Sequence, residues 1–163
     1  MRRRAGFTIL ELLVVVAILG ILAATAVPLL NTWRQRASGS EAFTTLKMIL
    51  NGEILYFLDH ETFFPTNIPD TILIPHSGAP VLPGAMVLDD VKDALEVAIP
   101  QGHFLDFTIT RPDKATCQIY NPSSESCVMI TVSSSKGFIL FKSGTTSITG
   151  IIDNTGKIII GYP

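Results

Sequence analysis

Residues 6–30 read Gly6-Phe7-Thr8-Ile9-Leu10-Glu11 and then LLVVVAILGILAATAVPLL. From Phe7 to Leu30 the one charged side chain is Glu11. As a helix this stretch is roughly 36 Å long, enough to cross the hydrocarbon of a bilayer. Arg2, Arg3 and Arg4 precede it, so the positive-inside rule keeps the N-terminus in the cytoplasm and sends the rest of the chain out. A carboxylate within such a span costs about 2.5–3.5 kcal/mol on insertion scales. A plain anchor gains nothing from that cost, and the apolar run of a secretory signal avoids it. The cost is removed when a cation is supplied in the lipid. Cleavage between Gly6 and Phe7 supplies one, an α-amine on Phe7 one helical turn from Glu11, in the same chain or an identical neighbour.

Two other readings of the segment stay open. One is a plain transmembrane anchor. The other is an ordinary secretory signal with a small-x-small site at Ala24-Thr25-Ala26, releasing a soluble domain that begins at Val27. The new N-terminus separates them: Phe7 in the first case argued above, Val27 in the last.

Gly6, Phe7 and Glu11 at this spacing, the uncharged run and Pro28 together resemble the N-terminal signature of type IV pilins and type II secretion pseudopilins. The resemblance is close over residues 4–30 and then weakens to a general plan. It implies an α+β pilin fold, with a long N-terminal helix packed on a C-terminal antiparallel sheet. It implies a leader at residues 1–6, a transmembrane and filament-core helix at 7–30, and a globular domain at 31–163. Gly6 would be the last leader residue read by prepilin peptidase, and Phe7 the new first residue, N-methylated by the same enzyme. Glu11 would pair with the Phe7 amine of a neighbouring subunit. Implied partners are identical or related pilin subunits, prepilin peptidase, and an inner-membrane assembly platform with a separate ATPase. The implied location is the inner membrane before assembly, and an extracellular pilus or periplasmic pseudopilus afterwards. No enzymatic activity and no cofactor are implied. A type IV pilin subunit is favoured over a pseudopilin, because the middle and the C-terminal sheet are long and the calcium pattern of major pseudopilins is not visible.

The rest of the chain is read from its residues. Twelve Lys and Arg against fourteen Asp and Glu in 163 residues exclude a broadly basic nucleic-acid binder. With 47% hydrophobic residues the chain is not disordered. Pro28 removes a backbone donor and is expected to kink or interrupt the helix. Trp33 beside Arg34 and Arg36 suits either a membrane interface or packing under the soluble domain. Ser38-Gly39-Ser40 is a candidate break. Phe43, Leu46, Leu50, Ile54 and Phe57 then recur at three and four residues, predicting an amphipathic helix over about 40–59, with Lys47, Glu53 and Asp59 off the apolar face. Pro65, Pro69, Pro75, Pro80 and Pro83 make 62–102 a variable loop, apart from a short helix over 90–98 capped by Asp89. From His103 the pattern turns to strand. Leu105, Phe107 and Ile109 alternate with polar residues, and further strands are expected at 116–120, 127–133, 137–142, 147–152 and 157–162. Asp153-Asn154-Thr155-Gly156 is a hairpin turn.

Cys117 and Cys127 flank a polar loop; outside the cytoplasm they are expected as a disulfide pinning two strands, the alternative being two free thiols. His60, His76 and His103 have no metal spacing. Asp89, Asp90 and Asp93 read as a helix start rather than a calcium site, and no metal is expected. Ser133-Ser134-Ser135-Lys136 matches Ser-x-x-Lys, but between two strands it reads as a turn.

Overall fold

The computed structural model describes residues 8–77, 88–100, 104–137, 139–141 and 144–161. The chain divides into two compact units, Met1–Gln35 and Arg36–Pro163. Helix α1, Ile9–His60, contributes to both.

In the first unit the large apolar side chains from Ile9 to Trp33 are between 46% and 85% exposed. Among the described residues α1 is the one helix long and apolar enough to cross a membrane. The expected interruption at Pro28 does not occur: the helix continues on both sides of it. A proline takes one hydrogen bond out of the ladder, and the apolar helix formers around it keep the turn. The hydroxyls of this unit bond back to their own helix. Thr25 Oγ1 donates to Leu22 O at 2.9 Å and Thr32 Oγ1 to Pro28 O at 3.2 Å, which leaves the band without an unpaired hydroxyl donor.

In the second unit a five-stranded sheet packs on α1. Its strands are β1 (Asp70–Ile74), β2 (Leu105–Arg111), β3 (Cys127–Ser134), β4 (Ser147–Asp153) and β5 (Ile158–Gly161). They lie side by side in sequence order, every pair antiparallel. Two short helices, α2 (Leu88–Leu95) and α3 (Lys114–Tyr120), complete the unit. β2 buries each odd position from Leu105 to Arg111, as its alternation predicts. Ile72, Phe107, Ile109, Ile130, Val132, Ile148 and Ile152 meet Leu46, Ile49 and Leu50 of α1 in one core.

The buried face of α1 is turned relative to the expected one. Leu46 and Leu50 are buried, whereas Phe43, Ile54 and Phe57 are only partly covered. Gly39, Ala42, Thr45, Ile49, Gly52 and Glu53 complete the face. Two glycines explain the turn. A Cβ on Gly39 would collide with the Leu140 carbonyl oxygen, and one on Gly52 would lie 2.7 Å from Val97 Cγ2 and 2.8 Å from Leu95 O. Ser38-Gly39-Ser40 is therefore not a break but the place where a loop carbonyl reaches the helix.

Other expectations are corrected. Residues 116–120 are not a strand but most of α3, because the Asp113 side chain accepts from Thr116 N at 3.2 Å and caps a helix there. The short helix expected over 90–98 starts at Leu88 and ends at Leu95, where Glu96 takes a φ of 52°; Asp89 lies within its first turn and is not the cap. The loop expected over 62–102 contains β1, an edge strand that fits between Pro69 and Pro75. Of 137–142, residues 137 and 139–141 form a loop, with Leu140 N donating to Thr145 O; 138 and 142 lie outside the described residues, as does Tyr162 at the end of the last expected strand.

Glu53, expected off the apolar face, is fully buried. Its Oε2 accepts from Phe64 N at 3.0 Å. Arg111, also buried, donates through Nη1 to the carbonyls of Phe63, Pro65 and Thr66 at 2.9, 3.1 and 2.9 Å. Together they pin the turn that follows α1. Burial pushes the Glu53 carboxyl up to about 8 from 4.5, against the opposing pull of the Phe64 N–H and the Arg111 guanidinium.

Two outcomes are expected. A raised carboxyl holds its proton in the folded state where the unfolded chain has lost it, so stability is greatest below the unfolded value and falls as pH rises from about 4.5 to 8. Unfolding of the full chain in micelles should show that fall, on the order of 3–5 kcal/mol. Glu53→Gln should flatten it; an equal slope in both proteins would show that another group is responsible. Gly39→Ala should destabilise by about 1–3 kcal/mol through the clash with Leu140, and unchanged thermal unfolding would contradict that contact.

Candidate functional site

The chemistry singled out in the sequence lies at the start of α1. Gly6 and Phe7 lie outside the described residues. Thr8 precedes the first helical residue, and Glu11 is the third residue within the helix. Thr8 N and Thr8 Oγ1 donate to Glu11 Oε2 at 3.3 and 3.2 Å, and Glu11 N donates to Thr8 Oγ1 at 3.2 Å. This is a reciprocal capping box: each side chain satisfies a backbone donor that the first helical turn leaves free. Leu12 N then closes the turn on Thr8 O at 3.2 Å. The negative side chain also sits at the positive end of the helix dipole. Within this one chain Glu11 bonds to Thr8, and Phe7, whose amine is the expected cation, lies outside the described residues. The Thr-x-x-Glu spacing before an apolar run is the sequence signal of this box.

Behind Glu11 the residues that could interrupt the band are silent: Pro28 lies inside the helix, and the Thr25 and Thr32 hydroxyls are turned back on it. This arrangement offers a helical apolar surface with one carboxylate at its start.

The other candidates are scattered over the globular unit. Cys117 and Cys127 form a disulfide with their Cα atoms 5.6 Å apart. It joins α3 to the start of β3 rather than two strands, since residues 116–120 are helical. The loop it closes is held a second time. Asn154 Oδ1 accepts from Glu125 N, Ser126 N and Ser124 Oγ, while Asn121 Nδ2 donates to Asp153 Oδ2 at 2.6 Å. Asp153 Oδ1 takes donors from Thr155 and Lys157. Ser133 and Ser134 end β3, and Lys136 in the turn beyond sits over the Phe104 ring, 4.9 Å from its centroid. His60 stacks on Tyr56 at 4.1 Å, and His76 pairs through Nδ1 with Asp106 at 2.8 Å; His103 lies outside the described residues. Asp89, Asp90 and Asp93 lie on the exposed side of α2. Among the described residues no three His, Cys, Asp or Glu side chains are grouped to hold a metal ion.

Residues 1–27 match the prokaryotic N-terminal methylation motif. The chain is 41% identical over 61 residues to the type IV major pilin protein PilA of Myxococcus xanthus, covering 37% of this chain and 28% of that protein. It is 40% identical over 67 residues to the type II secretion system core protein G of Vibrio cholerae, covering 41% of this chain and 46% of that protein. A fimbrial protein of Moraxella nonliquefaciens is 52% identical over 44 residues, 27% of this chain and 29% of the relative. The chain thus spans less than half the length of each of these relatives. No solved structure matches it.

Thr8→Ala removes the two bonds made by the Thr8 hydroxyl, leaves Thr8 N on Glu11, and should weaken the helix start by about 1 kcal/mol. Amide exchange of residues 9–12 in micelles should quicken several-fold, with Thr8→Ser close to the unmodified chain. Equal exchange in all three would mean that the box does not hold the helix start.

Proposed function

We propose that this chain is a structural subunit of a type IV pilus filament. The observation that carries the reading is the helical stretch from Ile9 to Leu30, whose large apolar side chains all stand exposed. Such a band is stable in lipid or against other copies of itself, and nowhere else. The methylation motif over residues 1–27 and the similarity to pilins support it.

In this reading the precursor sits in the inner membrane with Arg2, Arg3 and Arg4 in the cytoplasm. Prepilin peptidase cuts between Gly6 and Phe7 and methylates the new amine. Glu11 exchanges its bonds to Thr8 for the Phe7 amine of a neighbouring subunit, which sets the register of addition. Subunits leave the bilayer as protein replaces lipid around the band. An assembly platform and a separate ATPase drive that step. The subunit itself acts by packing, without cofactor or catalytic residue.

A pseudopilin of a type II secretion system is the second reading, and the similarity to core protein G favours it. The secreted domain starting at Val27 is less well supported, since Ala24, Thr25 and Ala26 lie within the helix that continues past them.

Mass spectrometry of filaments sheared from the source cells tests the proposal. An abundant chain beginning at methylated Phe7 is expected; the same chain confined to the envelope points to the pseudopilus, and a start at Val27 overturns both. Glu11→Ala should leave cleavage intact and lower filament yield at least tenfold, whereas normal yield would refute the pairing.

A further inference from the structure

Two short runs at and near the ends of the exposed part of α1 carry complementary chemistry at the same spacing. The first is Leu30, Trp33, Arg34 and Arg36. The second is Leu55, Leu58 and Asp59, with Glu61 just past the helix end. The four apolar side chains are uncovered in the isolated chain: Leu30 is 56% exposed, Trp33 60%, Leu55 57% and Leu58 71%. Arg34, Arg36, Asp59 and Glu61 are exposed as well. The ion pairs among the described residues, His76–Asp106 and Lys114–Glu125, involve none of these four.

Beside Leu58 the surface opens into a cavity of about 360 Å³. Ile54, Phe57, Phe63 and Ile152 line it, and the turn at residues 153–156 forms its rim. It is apolar and has room for an indole ring. Aromatic side chains seated in such pockets are the usual anchors of protein interfaces.

We infer that the run at residues 30–36 of one copy docks in parallel on the run at 55–61 of the next, with Trp33 entering the cavity beside Leu58. Leu30 then meets Leu55, Arg34 meets Asp59 and Arg36 meets Glu61. Each apolar residue gains an apolar neighbour and each charge an opposite one. An antiparallel arrangement would bring Leu30 against Glu61 and lose both matches. The occupant is a second copy because the matching run, in sign and in spacing, is on this chain. The two surfaces differ, so the contact is heterologous: each copy offers one to the copy before it and the other to the copy after it. Such a contact gives a ring where its rotation closes and an open helical array where it does not, and the filament reading takes the second. The inference rests on the filament reading and names a contact that sets its stagger.

The test uses full chains in the source cells. Trp33→Cys and Leu58→Cys are made in separate copies and expressed together; Cys117 and Cys127 are already joined, so the new thiols stand alone. Mild oxidation should give a disulfide dimer from the mixed cells and none from either variant alone. In parallel, Arg34→Glu with Arg36→Glu, and Asp59→Lys with Glu61→Lys, should each lower filament yield about tenfold, and all four in one chain should restore it to within about threefold. Filaments that form without the mixed dimer overturn the contact and leave the filament reading standing, as does a fourfold variant no better than the pairs. Where cysteine disturbs assembly, the charge reversals decide. An unmodified chain that builds no filament overturns the reading, and the contact falls with it.

Discussion

The globular unit depends on how closely α1 approaches the middle of its sheet. Gly150 in β4 lies beneath Leu46 and Leu50, whose Cδ1 atoms would be 3.1 and 2.9 Å from any Cβ placed there. Because side chains alternate along a strand, that single approach decides which half of every neighbouring strand faces the helix. Ile130 pairs with Gly150 across the ladder and Ile109 with Ile130, so the same layer runs inward from β4 to β2. The flanks follow the same logic. Gly39 admits the carbonyl of Leu140, and Gly52 admits the end of α2. Each glycine costs helix propensity, on the order of 1 kcal/mol. Each buried aliphatic side chain that the approach permits returns roughly 1.5–3 kcal/mol. The helix tolerates poor helix formers because the packing they allow outweighs them.

One helix carries two carboxylates in apolar surroundings, and they are accommodated differently. Glu11 stays beside the exposed end of the backbone ladder, where free N–H groups and a hydroxyl offer donors within one turn. Glu53 is sealed between α1 and the turn at residues 63–66, and it takes one backbone donor. The first arrangement is local, made within one turn at an exposed helix end and apart from the core. The second is fixed, since moving Glu53 releases the turn that Arg111 clamps.

The N-terminal segment was legible because it is under a single constraint, an apolar environment, and every residue from Phe7 to Leu30 answers to it. β2 was legible from its strict alternation, β3 and β4 from their apolar inner positions, and the turn before β5 from Gly156, at a φ of 81° where the chain reverses. Residues 116–120 were not, because Thr116, Cys117 and Ile119 favour strand on composition while the helix is set by the Asp113 cap. Glu53 and Arg111 were not, because their burial is decided by a turn and a strand far apart in the chain. β1 was hidden by the prolines at its ends, which read as loop although the five residues between them are free to pair. At the start of α1, Glu11 was legible as the one charge in an apolar run, and its tie to Thr8 was written in the Thr-x-x-Glu spacing.

The loop closed by Cys117 and Cys127 is braced twice, covalently and through Asn121, Ser124, Asp153 and Asn154. Its frame is therefore carried by a few inward-facing groups. Gln118, Ile119 and Ser123 are exposed and lend no side chain to those braces. Shape and surface are uncoupled there: the outward positions can exchange charge for grease, or size for reach, and the scaffold hardly registers the change. A protein displayed in many copies would thus carry a panel whose chemistry is free to drift while its outline stays the same.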